Sequence, residues 1–186
     1  KNKFLWFVFP FICLFAFLSM QTPTVYILII LMILTIFHFV NSKEFNNLKF
    51  FLLGGTLSIL FLFLFLILTK TPIINFIYQY ILFPITIGEG RITCKDIAYI
   101  SLLDQLNLKR LFGEFKFIHI FLIPLIFLSF KTIKKKKRNI DYLNFTIIFS
   151  SFAFFFNQLI TANQIYIFSL IPILAAVVHI NLNNLK

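Results

Sequence analysis

Two short stretches of this chain carry side chains whose types and spacing could do chemistry. In the first, Glu89 and Arg91 flank Gly90 within "GEGR" (88–91). A guanidinium held at an exposed turn can grip a phosphate through two parallel hydrogen bonds. The second is "NQLITANQIY" (157–166), where Asn157-Gln158 and Asn163-Gln164 bracket four residues and Tyr166 follows. At a membrane surface such amides can bond water, backbone or a lipid phosphate. Each stretch also has a plainer explanation. The first could be a solvated turn with an incidental charge pair, and the second a turn between two buried helices.

The rest of the chain offers little catalytic equipment. It has no phosphate loop, no GxSxG, no zinc motif and no arginine ladder of the voltage-sensor kind. No two carboxylates have a spacing that demands acid-base work, so no catalytic base is identified. The two cysteines, Cys13 and Cys94, make no disulfide framework, and no His, Cys, Asp or Glu group has metal-ligand spacing. Neither a metal nor a cofactor is expected. His38, His119 and His179 fall near the ends of apolar runs, where an interfacial role suffices. The absence of Asp or Glu in the middle of those runs argues against a proton-coupled pump.

What must position these residues follows from composition. The chain is 60% hydrophobic and 12% charged over 186 residues, whereas a soluble domain is nearer a quarter charged. So few charges cannot coat a soluble core, and the chain must be solvated by lipid. The 29 Phe, with abundant Ile, Asn and Lys, suggest A/T-rich coding. A single Phe or Asn is correspondingly weaker evidence of function.

Apolar runs at 4–20, 24–40, 50–69, 117–133, 141–160 and 164–180 predict about six membrane spans. At about 1.5 Å per residue each reaches roughly 30 Å. The fold expected is therefore all-α, a polytopic transmembrane helix bundle forming a single membrane domain. Gly54-Gly55 with Ser58 puts small residues on one face of the third span, suited to close helix packing. Ser150-Ser151 suits the same role. Pro10, Pro124 and Pro172 are expected to kink their helices.

Direction comes from "KKKKR" (134–138). With that cluster in the cytoplasm, alternation places both termini inside, and Lys and Arg divide 11 inside to 6 outside. The formal charge of +11 is then a property of cytoplasmic loops, and nucleic acid is not an expected partner. The location expected is the bacterial inner (plasma) membrane. The segment 70–116 falls outside and holds four of the six acidic residues. Its first part, 72–88, reads as a helix lying in the interface, with Tyr78 and Tyr80 near the headgroups. "TCKD" (93–96) fits a capping box opening a helix from about Cys94 to Asn107. The segment thus reads as amphipathic interfacial helices, and Lys109-Arg110 could meet anionic headgroups.

The closing hairpin carries a family resemblance. A short external turn runs into Gln164, Ile165 and Tyr166, then "IFSLIPILAAVV" with Leu170-Ile171-Pro172. This resembles the C-terminal part of GT-C membrane glycosyltransferases, in which an Arg-Tyr pair often opens a late span. Here no Arg precedes Tyr166. The family's catalytic Asp lies in a large first external loop, whereas only "QTP" follows the first span here. The resemblance therefore implies a C-terminal fragment of a longer chain. Such a portion would help transfer a sugar from a polyprenyl-phosphate donor to an extracytoplasmic acceptor. Glu89, Arg91, Asn163, Gln164 and Tyr166 are the expected substrate-binding residues, with membrane lipids and a polyprenyl-phosphate sugar as partners. The alternatives are a transporter, flippase or polymerase-like protein handling lipid-linked glycans, or a non-catalytic membrane subunit.

Overall fold

The structure is a computed structural model that describes residues 3–86, 106–134, 138–161 and 165–185. Among them all regular structure is helical. The chain divides into two compact units, Lys1–Gly90 and Arg91–Lys186. Among the described residues five helices are long and apolar enough to cross a membrane, and the protein is an integral membrane protein. Large apolar side chains such as Leu68 at 73%, Ile67 at 71% and Phe127 at 66% are openly exposed. Lipid is the solvent that such a surface fits.

The first unit contains α1 (Lys3–Ser19), α2 (Thr24–Ser42), α3 (Phe45–Leu68) and α4 (Ile73–Thr86). At 17 residues, α1 is at the lower limit for a spanning helix. α4 is helical, as the sequence predicts, with a π-helical stretch at Tyr78–Leu82. Its described residues span roughly 21 Å.

α1 and α3 are the most closely packed pair of this unit. The reason is Gly54, which is buried on α3. A Cβ built there would stand 2.1 Å from the carbonyl oxygen of Phe7 on α1. Only a residue without a side chain lets the two backbones approach this far. Ser58, one turn on, is buried and returns its hydroxyl to the Gly55 carbonyl at 2.8 Å. Gly55 itself points into open space, so the packing face expected for the small residues is made by Gly54 and Ser58. Near one end Trp6 joins three helices, with ring centroids 5.4 Å from His38, 4.7 Å from Phe39 and 6.3 Å from Phe51.

α3 ends without glycine. The amide of Lys70 donates to the Ile67 carbonyl at 3.1 Å and that of Thr71 to Leu66 at 2.9 Å. These bonds satisfy carbonyls that a helix end would otherwise leave bare. Lys70 takes a left-handed φ of 52° to allow them, a strain of roughly 1–2 kcal/mol for an L residue.

The second unit contains α5 (Leu108–Glu114), α6 (Lys116–Lys134), α7 (Arg138–Thr161), a 3-10 helix (Ile165–Ser169) and α8 (Leu170–Leu185). Its core follows alternating three- and four-residue steps. The buried positions include Ile118, Leu122, Leu125, Ser129 and Thr132 on α6, and Asn144, Ile148, Ser151 and Phe155 on α7. Leu170, Leu174, Val177 and Asn181 continue the pattern on α8. This spacing keeps one seam of each helix facing its neighbours. Ser150 and Ser151 are both buried, and the Ser151 hydroxyl donates to the Ile147 carbonyl at 2.8 Å.

The helix expected from about Cys94 to Asn107, with its capping box, lies almost wholly outside the described residues. What is described is Asn107, whose Oδ1 caps the start of α5 by accepting from the Arg110 amide at 2.8 Å. One expectation needs revision: Pro172 is not in mid-helix. It stands two residues into α8, just after the 3-10 helix, where a missing N–H leaves few helical bonds unmade.

Candidate functional site

The residues first singled out for chemistry are not assembled by the described structure. Glu89, Arg91, Asn163 and Gln164 lie outside the described residues. Tyr166 belongs to the 3-10 helix Ile165–Ser169, although its side chain is outside the description. The structure therefore neither joins nor separates these five.

It does describe the end of the second unit at which α7 closes. There Phe115 and Phe155 stack with centroids 4.8 Å apart. The His119 ring lies 5.3 Å from Phe155 and 5.1 Å from Phe112. His119 Nε2 is 3.0 Å from the Leu111 carbonyl, a hydrogen bond if that nitrogen carries the proton. His119 is buried at 9% exposure, so it is not the headgroup contact its position suggested. It ties α5 onto α6. Arg110 is also committed, its Nε donating to Glu114 Oε1 at 2.7 Å and an Nη to Oε2 at 3.3 Å. That pair gives Glu114 a cation to hold.

The amides of the last turns of α7 are buried as well. Asn157 is 7% exposed and Gln158 is 3% exposed, which differs from the water-facing placement expected of a turn. Gln158 Oε1 has no hydrogen-bond partner among the described residues. An unsatisfied buried acceptor costs about 1–3 kcal/mol, so this oxygen is suited to a donor brought by a ligand. Asp141 Oδ1, in the first turn of α7, is likewise buried without a partner. There the helix N-terminus favours its negative charge.

At the opposite end a second polar group is fully satisfied. Asn144 and Asn181 exchange amide hydrogen bonds, each Nδ2 donating to the other's Oδ1 at 2.8 Å. Asn144 also reaches the Thr132 hydroxyl at 3.4 Å, and Asn181 donates to the Val177 carbonyl at 2.8 Å. Both asparagines are wholly buried. Sequence reasoning missed this pair, although Asn144 and Asn181 each fall on the three-four spacing of their helix. Among the described residues no group of His, Cys, Asp and Glu could hold a metal.

Comparison with protein-family models, with curated proteins and with solved structures finds no match to this chain.

Proposed function

We propose that this chain is the C-terminal membrane portion of a glycosyltransferase. It would move a sugar from a polyprenyl-phosphate donor to an acceptor outside the cytoplasm of a bacterial inner membrane. Both termini would lie inside. The observation that carries the proposal is Gln158, a buried amide with a free acceptor oxygen, just before the stretch whose sequence resembles the family. A sugar hydroxyl is the donor such an oxygen lacks. Asn163, Gln164 and Tyr166 follow in the sequence, and Arg91 would grip the donor phosphate. The main catalytic base would come from outside this chain.

The test uses membranes containing the full-length protein and a panel of radiolabelled polyprenyl-phosphate hexoses. Gln158→Leu is expected to lower transfer roughly tenfold, the scale of one lost buried hydrogen bond. Gln164→Ala and Tyr166→Phe should each reduce transfer while protein level and insertion stay normal. Transfer unaffected by all three substitutions would remove the reading.

A further inference from the structure

The ends of α6 and α8 leave an open groove of about 720 Å³ on the second unit. One part of its lining is apolar, with Leu128, Leu182 and Leu185. The other part is polar and basic, with Lys131, Lys134, His179 and Asn183. No carboxylate is among the described lining residues. We propose that this groove is a binding site for an anionic phospholipid, its phosphate on Lys131 and Lys134 and an acyl chain along the leucines.

Three observations support that occupant. Lys131 and Lys134 both stand in the last turn of α6, and the sequence continues with four more basic residues, Lys135 to Arg138. Positive charge concentrated at a membrane boundary attracts anionic headgroups by about 1 kcal/mol per residue. Asn183 Nδ2 lies 2.9 Å from His179 Nε2. With the amide donating, the ring proton sits on Nδ1, leaving the imidazole a further donor. Finally, Leu182 is 47% exposed on a helix apolar enough to span. A soluble phosphate would leave that wall uncovered, whereas a lipid covers it and presents its charge at the same end.

The experiment is native mass spectrometry of the full chain released from detergent containing phosphatidylglycerol or phosphatidylcholine. Phosphatidylglycerol should be retained at least fivefold more than phosphatidylcholine. The double variant K131Q/K134Q should lose that preference, and K131R/K134R should keep it. Leu182→Ser should weaken retention of phosphatidylglycerol severalfold. As a control for bulk charge, K43Q/K49Q removes two lysines of the first unit and should leave retention unchanged. Equal retention of the two lipids, or equal loss in the control, would overturn the proposal. So would displacement of the lipid by millimolar glycerol phosphate, which would identify a soluble anion as the occupant.

Discussion

Gly54→Ala is expected to destabilise the first unit by about 2–3 kcal/mol, the upper part of the range for overpacking a close contact. The added methyl would meet the Phe7 carbonyl oxygen at 2.1 Å, with the Phe7 carbonyl carbon at 2.9 Å. Because these are backbone atoms, no side-chain rotation relieves the clash, and α1 must withdraw from α3. That withdrawal also loosens the Trp6 contacts with Phe39 and Phe51. Gly55→Ala is the matched control. Its Cβ would meet nothing within 4 Å, and alanine is favoured over glycine in a helix by roughly 1 kcal/mol. It should therefore be neutral or mildly stabilising. Unfolding in mixed detergent micelles, followed by the fluorescence of Trp6, measures both. Similar losses for the two alanines would show that α1 and α3 do not meet at Gly54.

The second large effect belongs to the asparagine pair. Asn144→Leu should cost about 1–3 kcal/mol, because Asn181 then keeps a buried amide with part of its hydrogen bonding unmet. Asn181→Leu should cost a similar amount and also frees the Val177 carbonyl. The double variant removes both amides and should fall well short of the sum. A coupling of roughly 1–2 kcal/mol is the scale of a strong hydrogen bond between helices in a membrane. Strictly additive losses would mean that the two amides do not pair.

Much of the helical layout could be read directly because lipid imposes a coarse rule: apolar runs of sufficient length become helices. The run 24–40 became Thr24–Ser42 and the run 117–133 became Lys116–Lys134. Which face of each helix packs was much harder to see. A soluble helix shows its buried side by polar contrast, but α3 is apolar on nearly every face. Its contact face is marked only by Gly54 and Ser58, and Gly55 beside them gives a false lead. The three-four spacing of Asn144, Ser151, Leu174 and Asn181 was present in the sequence. In a chain with A/T-rich coding a single Asn carries little weight, which hides the pattern. The candidate substrate residues fall on stretches where local sequence suggests contact chemistry but does not fix three-dimensional neighbours. Gln158 shows the limit: its membership of an amide pair is visible in the sequence, yet its burial depends on helix packing that local sequence does not specify.

The Asn144–Asn181 bond also has a consequence for the order of biosynthesis. Its partners are 37 residues apart, and a ribosome adds roughly 5–20 residues each second. Asn144 therefore emerges about 2–7 seconds before the amide that completes it. During that interval α7 carries an unpaired polar group, with only the Thr132 hydroxyl of α6 already made. A helix in this condition gains from remaining beside the insertion machinery, where water is still within reach, until α8 arrives. The two helices are best released into lipid together, as one hairpin.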